Sequence, residues 1–453
     1  MFYWISYTIY TYGNLPWIIA TLAVLLLSLY LSLYYLLGTY LVCRLNFLKN
    51  PNFLKGLGVA FVFTGIEYLK AHLLTGLPWE EPGYTLTSAK SLLQLASIFG
   101  IQGLNFLFYL TSYFLFLVFN LSKKGNFQQK VSALLFSCVL LGVFLWGKKE
   151  LNYWRTFSNS VNSSLKVAVI QPNIPQKVKL AGDITYMFSI YSKMIKLAAQ
   201  KHPDLVLLPE TALTFFYPIQ KSLFKEINTI FSSVKNSFVI TGIFRANCKS
   251  IFKCKIYNSL ILLKNGKVLQ YYDKEKLVPF GEYLPVFLKF LDRFTVFSQE
   301  LTPGNPSVLH FYCKRKKVKI LPLICFESAF SDILKQRLSW FKPNLVVIAT
   351  NDAWFDDSSA PYQHFQMAIV RAVESRKFVI QVANTGISGI ISPAGDVIKI
   401  SKVNTPCLIF SRVKLIEKTS PFYRFGDVLG ILGVFFVLAC VFLCVKKKLR
   451  SRV

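Results

Sequence analysis

Apolar residues fall along this chain in two rhythms, long uninterrupted runs towards both ends and short recurring runs through the middle. Residues 16–43, "PWIIATLAVLLLSLYLSLYYLLGTYLVC", hold no charge and exceed the roughly 20 residues a helix needs to cross a bilayer. Further runs at 57–76, 93–121, 131–147 and 426–445 bring the expected spans to five. The middle alternates differently. Short β-rich runs recur at 165–171, 204–210, 238–244, 258–263, 318–325, 344–350 and 378–383, and the segments 181–200 and 361–376 have helical character. Near-continuous apolar strands imply sheets buried on both faces. The pattern divides the chain into an N-terminal membrane domain, 1–147, with about four transmembrane helices, and an α/β domain, 148–425, with its core at about 165–415. A last helix with a basic tail follows at 426–453.

Composition agrees with a membrane mount. The chain is 53% hydrophobic and 16% charged, where a soluble domain is nearer one quarter charged. Its 52 Lys and Arg against 22 Asp and Glu would suit nucleic acid. They lie instead in clusters beside apolar runs and along ordinary loops, with no zinc-finger spacing, RNP-like stretch or basic heptad region. Arg44, Lys49 and Lys55 follow the first span and Lys446, Lys447, Lys448 and Arg450 the last, whereas Glu80 and Glu81 occupy the loop before the third. The positive-inside rule puts the basic flanks in the cytoplasm and 148–425 outside.

Nine cysteines form no CxxC pair and none has a histidine at ligand spacing, so neither a metal site nor a cofactor is expected. Cys248 and Cys254 bracket "CKSIFKC", a loop that could close as a disulfide outside the cytoplasm. Within the second span Glu67 and Lys70 share a helical face with His72 nearby, and intramembrane ionisable groups are candidates for function or for pairing. Gln102 and Asn105 read as interhelical hydrogen-bonding residues.

Polar residues stand where the central strands stop. Glu210 closes "LVLLPE", Lys274 follows "VLQYYD" and Cys325 closes "KILPLIC". Each has a bland reading, since free cysteines mostly pack and lysines mostly meet solvent. Together they form a coherent set: a thiol to attack a carbonyl, a carboxylate to take its proton, and an ammonium to steady the oxyanion. A histidine-paired cysteine would be the other arrangement, but His72, His202, His310 and His364 sit in no recognisable partner motif.

The segments "LLPETAL" (207–213), "YYDKEKLVPFGEYLP" (271–285), "ICFESAF" (324–330) and "ATNDAWF" (349–355) occur in this order. Together they resemble the nitrilase, or carbon–nitrogen hydrolase, superfamily. "QHFQMA" (363–368), "RAVESR" (371–376), "ANTGISGII" (383–391) and "LTGLPW" (74–79) narrow the resemblance to its membrane branch, the apolipoprotein N-acyltransferase family. The resemblance implies a nitrilase-like αββα sandwich mounted on a bundle of transmembrane helices. It makes Glu210 the general base, Lys274 the oxyanion stabiliser and Cys325 the nucleophile. Glu282 and Glu327 would support them, with Asn351 and Trp354 bordering the site.

It further implies an enzyme of the bacterial cytoplasmic membrane with its catalytic domain outside, and nothing in the sequence suggests obligate assembly beyond a monomer. There it would pass an acyl chain from a phospholipid, through a cysteine thioester, to the N-terminal amine of a diacylglyceryl-lipoprotein. A membrane-tethered amidohydrolase is the alternative, and a catalytically silent scaffold the third class. The chain departs from the family pattern in places. "YWISYTIYTYGNLP" (3–16) resembles the loop before the fourth of eight spans, so the earlier spans are expected to be lacking. Phe326 replaces a tyrosine, Leu180 an aromatic residue, Asp356 a small residue and Gln381 an arginine.

Overall fold

Strand pairing builds two sheets from the central runs of the computed structural model, which describes residues 2–250, 253–285 and 300–450. The first sheet uses β1 (Ser164–Gln171), β2 (Leu205–Leu207), β3 (Leu213–Tyr217), β4 (Phe238–Ser250), β5 (Lys253–Lys264) and β6 (Lys267–Asp273). The second uses β7 (Leu309–Cys313), β8 (Lys316–Ile324), β9 (Leu345–Thr350), β10 (Val379–Ala383), β11 (Gly389–Ile391) and β12 (Val397–Ile400). The last strand, β13 (Cys407–Lys414), returns to pair antiparallel with β1, giving the order β13-β1-β2-β4-β5-β6 with β3 against β4. The second order is β12-β11-β10-β9-β8-β7. Among the described strands, the parallel contacts are β1–β2, β2–β4, β3–β4, β8–β9 and β9–β10.

The sheets pack face to face. Val167, Val169, Leu205, Ile240 and Leu260 of the first meet Ile320, Ile324, Leu345, Val347 and Ile380 of the second in one buried cluster. Helices Ile184–Ala199 and Lys221–Phe231 cover the outer face of the first sheet. Helices Ser331–Phe341 and Ala360–Ser375 cover that of the second. The result is the αββα sandwich expected.

The expected spans form helices Trp17–Arg44, Phe53–His72, Ala96–Lys124, Phe127–Ser160 and Val428–Arg450. Among the described residues, four helices are long and apolar enough to cross a membrane: Trp17–Arg44, Ala96–Leu121, Phe127–Ser160 and Phe422–Arg450. Helix 53–72, expected at 57–76, is less apolar because it holds Glu67 and Lys70, ion-paired at 2.5 Å. Tyr35 and Tyr109 each donate to Glu67 Oε1 at 2.7 Å, so neither charge is left bare. Asn52 caps this helix by accepting from the Lys55 N–H, which explains its earlier start. Its middle meets the last helix backbone to backbone: a Cβ on Gly65 would stand 2.4 Å from the Gly433 carbonyl carbon. Helix 127–160 runs unbroken from the bundle to within a few residues of β1.

Candidate active site

Strand ends deliver the polar residues to one place. Glu210 lies in the turn after β2, Lys274 directly after β6, Cys325 directly after β8 and Asn351 directly after β9. Apolar burial stops at these points because the chain must turn out of the sheet, and α/β folds assemble sites there. Cys325 begins a short helical turn, Cys325–Ala329, with φ at +49°, in the left-handed region where non-glycine residues are uncommon. Close packing fixes Glu210 from below. A Cβ on Gly242 of β4 would stand 2.3 Å from the Thr211 nitrogen and 2.5 Å from the Pro209 oxygen, so only glycine lets the strand pass under the Glu210 turn.

Every polar atom of the pair Glu210 and Lys274 has an address. Glu210 Oε1 accepts from Asn258 Nδ2 at 2.7 Å and faces Lys274 Nζ at 3.4 Å, while Oε2 accepts from the Asn351 N–H at 3.0 Å. Lys274 Nζ donates more closely to Glu282 Oε1, at 2.9 Å, and Asn258 Nδ2 bridges to the same oxygen at 3.0 Å. Glu282 Oε2 accepts from the Val278 N–H at 2.8 Å, which folds the "PFGEY" turn onto the lysine. Burial works against the Lys274 charge, but the Glu282 and Glu210 carboxylates outweigh it and hold the ammonium well above its ordinary range. Burial and the Glu210 carboxylate push the Cys325 thiol well up, against the pull of Lys274. A thiol so placed rests protonated and needs a base to attack.

Glu327 is saturated. Its Oε1 accepts from Tyr272 Oη at 2.7 Å and from the Glu275 and Lys276 N–H groups at 2.6 and 3.1 Å. Its Oε2 accepts from the Ile324 N–H at 2.7 Å. Glu327 therefore ties the loop after Lys274 to the strand before Cys325. Asn351 donates from Nδ2 to Gln176 Oε1 at 2.9 Å and accepts from Asn384 Nδ2 at 2.8 Å, joining the ends of three segments. Trp354 lies on the same loop, where its carbonyl accepts from Thr8 Oγ1 at 2.8 Å and its ring meets the Tyr12 edge at 5.3 Å. The N-terminal helix Tyr3–Gly13 thus lies against this loop.

The departures from the family pattern have physical settings. Asp356 has φ at +47°, where a small residue costs least, and its Oδ2 accepts from Tyr7 Oη at 2.7 Å. Phe326 lies between Trp79, stacked at 6.3 Å, and Phe330, edge-on at 5.0 Å. Leu180 is exposed, and Gln381 Nε2 donates to the Ile387 carbonyl at 2.9 Å.

Sequence reasoning passed over several residues that the fold brings here. Asn258 sits in β5, and the two polar residues that open "NSLILL", Asn258 and Ser259, are the available signal. Lys179 is buried with Nζ on Thr211 Oγ1 at 2.9 Å and on the Glu210 carbonyl at 3.3 Å, and burial lowers it to about 7. Cys325, Asp352 and His364 each offer an atom within 4.8 Å of the others, a donor set a metal ion could use. Both ring nitrogens of His364 are already engaged, Nδ1 by Asp352 Oδ1 at 3.0 Å and Nε2 by Ser328 Oγ at 2.7 Å, which makes the set polar support rather than an open metal site. Cys248 and Cys254 are joined as a disulfide.

Comparison with known proteins decides the family. Residues 166–415 match the carbon-nitrogen hydrolase family, and residues 1–114 match the apolipoprotein N-acyltransferase N-terminal domain. An apolipoprotein N-acyltransferase of Geobacter metallireducens is 33% identical over 449 residues, covering 97% of this chain and 82% of its own length. One from Aquifex aeolicus is 34% identical over 410 residues, covering 87% of this chain and 83% of itself. This chain belongs to the apolipoprotein N-acyltransferase family. A nitrilase-superfamily amidase from Nesterenkonia is 17% identical, with a TM-score of 0.39 over 56% of this chain and 93% of its own.

Membership of the apolipoprotein N-acyltransferase family corrects one expectation. The N-terminal spans are not lacking, since residues 1–114, which carry the helices 17–44, 53–72 and most of 96–124, match the family's N-terminal domain. "YWISYTIYTYGNLP" forms the helix 3–13 within that matched region, not a stretch of loop.

Proposed function

We propose that this chain transfers an acyl group from a phospholipid to the N-terminal amine of a diacylglyceryl-cysteine lipoprotein, by way of a thioester on Cys325. The observation that carries the mechanism is the buried contact set in which Lys274 lies 3.4 Å from Glu210 and 2.9 Å from Glu282, with the Cys325 thiol inside their field. In the first half-reaction Cys325 Sγ attacks the ester carbonyl carbon and Glu210 takes the thiol proton. Lys274 steadies the oxyanion, and collapse breaks the C–O bond as Glu210 returns the proton to the departing lysophospholipid alkoxide. In the second, the free amine attacks the thioester carbon, Glu210 accepts an amine proton, and Cys325 leaves as thiolate to recover it. Splitting the transfer suits the chemistry, because a thioester acylates an amine more readily than the starting ester does.

Family membership and the membrane helices support lipid substrates, since both partners stay in the bilayer and a soluble amide would need no such mount. We place residues 148–425 outside the cytoplasm, with 1–147 and 426–453 as its membrane parts. The supporting features are the basic flanks of the spans and the Cys248–Cys254 disulfide, which belongs in an oxidising compartment.

The test is intact mass of the detergent-solubilised protein after incubation with phospholipid. The reading expects one acyl adduct that a lipopeptide amine discharges and water discharges slowly. Rapid discharge by water, or adducts from amides alone, would favour an amidohydrolase. A folded protein with no adduct would end the proposal.

A further inference from the structure

His364 stands behind the nucleophile turn, and the chemistry just described makes no use of it. It projects from helix 360–375 and is fully buried. Its Nδ1 faces Asp352 Oδ1 at 3.0 Å and Thr350 Oγ1 at 3.4 Å. Its Nε2 faces Ser328 Oγ at 2.7 Å and the carbonyl oxygen of Cys325 at 3.1 Å. Trp79, from the loop before helix 96–124, packs on the ring at 5.5 Å. The Asp352 carboxylate and the Cys325 carbonyl can only accept hydrogen bonds, so each ring nitrogen faces an oxygen best served by a proton there. Asp352 also opposes the burial that disfavours the cation, leaving His364 above the ordinary histidine range.

The arrangement is braced on both sides. Asp352 Oδ1 accepts from Thr350 Oγ1 at 2.7 Å, and Gly386 leaves no room for a side chain above it, since a Cβ there would meet Asp352 Oδ2 at 2.6 Å. On the other side Ser328 Oγ donates to the same Cys325 carbonyl at 2.9 Å. That carbonyl belongs to the residue held at φ +49°, a conformation that persists only where surroundings over-determine it. An imidazole N–H shared between this oxygen and the Ser328 hydroxyl holds the strained residue in place. It also polarises the peptide joining Cys325 to Phe326, which strengthens the Phe326 N–H as a donor. The first N–H groups of a helical turn have no partner within it, and the Phe326 N–H is one of these.

We propose that His364, held by Asp352 and Ser328, is a positioning residue that pins the Cys325 carbonyl and so keeps the thiol and the following N–H aligned for attack. The proposal rests on Cys325 being the nucleophile.

The experiment compares His364→Leu, which keeps bulk and loses the donor, with His364→Gln, whose amide nitrogen can reach the Nε2 position. The full chain in detergent is mixed with phosphatidylethanolamine micelles, and the rate of acyl adduct formation at Cys325 is followed by intact mass. Thermal unfolding and the rate of iodoacetamide alkylation of Cys325 are measured beside it. H364L is expected to slow adduct formation by roughly 10- to 100-fold with an unchanged half-saturating lipid concentration. That loss is smaller than for a donor touching the oxyanion itself. H364Q is expected to recover most of it, although both variants unfold at similar temperatures. Should H364L not fold, Asp352→Asn, which weakens the hold on the ring, is expected to slow acylation in the same direction.

Equal acylation in H364L and wild type, or equal impairment in H364L and H364Q, overturns the positioning role. Stoichiometric metal in the wild type that is lost in H364L also overturns it, in favour of a ligand. A wild type that forms no adduct removes the nucleophile assignment and this proposal with it, a result distinct from the others.

Discussion

Lys274 stands between two carboxylates and is nearer to the one that is not the proposed base. Glu282 takes the shorter contact, 2.9 Å against 3.4 Å to Glu210. That imbalance draws the ammonium away from the carboxylate that must reach the thiol proton. Glu282→Gln is therefore expected to let Lys274 close on Glu210 and to slow acylation by about 10- to 100-fold, while Glu210→Gln costs about 10²- to 10⁴-fold. Adduct formation at fixed lipid concentration separates the two, and Cys325→Ser should fold and form no thioester.

Lys179 gives a pH prediction of a different kind. Its folded value of about 7, lowered by burial, lies below the ordinary 10.5. The unfolded chain then binds the extra proton between those values, so stability rises with pH across that window and is flat below it. Lys179→Met should remove this slope between about pH 7 and 10 in thermal unfolding. An unchanged slope would mean that the lysine stays charged when buried.

The elements were more legible than the contacts between them. Apolar runs mark β2, β8 and β9, which end at Glu210, Cys325 and Asn351, because a strand buried on both faces writes its limits in hydrophobicity alone. β6, which ends at Lys274, is exposed along one face and is not among those runs. β2 is shorter than the run from which it was read, Leu205–Leu207, since Pro209 cannot continue the ladder and Glu210 falls in the turn. Glu210 and Cys325 were found because each closes such a run, and Lys274 because it follows "VLQYYD". His364 was passed over because its partners, Asp352 and Ser328, come from other turns, and no spacing along the chain records that meeting. The helix 53–72 was placed four residues late at its start because its beginning is set by the Asn52 cap, not by apolar composition.

Gly242 tests how rigidly an element holds the site. With the Glu210 turn lying on its α-carbon, Gly242→Ala must push that turn outward. Overpacking of this kind costs about 1–3 kcal/mol. Here the displaced group is the proposed base, so acylation should fall further than stability does. A variant that loses only stability would show that the turn can yield without moving the carboxylate.

At the scale of the molecule, the membrane helices and the sandwich share a core. Trp4, Trp79, Tyr84, Leu93, Ile101 and Leu104 belong to the same buried cluster as Phe326, Phe330, Met367 and Val370. Polar ties cross the same boundary: Arg371 Nη2 donates to Tyr84 Oη at 2.7 Å, the Ile101 N–H to Glu374 Oε1 at 2.9 Å, and Arg376 Nη1 to Gln94 Oε1 at 2.6 Å. Gln363 Oε1 accepts from both Trp4 Nε1, at 3.2 Å, and Trp79 Nε1, at 2.9 Å. It adjoins His364 on the helix behind the nucleophile turn, and Trp79 packs on both His364 and Phe326. A contact surface this continuous predicts one cooperative unfolding transition, with helix content by circular dichroism and protease protection of residues 164–414 lost together. Gln363→Leu leaves two indole N–H groups in the core without an acceptor, at about 1–3 kcal/mol for each. The variant should therefore unfold earlier and acylate more slowly, whereas an exposed span residue such as Leu26→Ala should change neither. Two separated transitions in the wild type would mean that the sandwich holds its shape without the membrane helices, and that Trp79 only covers the turn it touches.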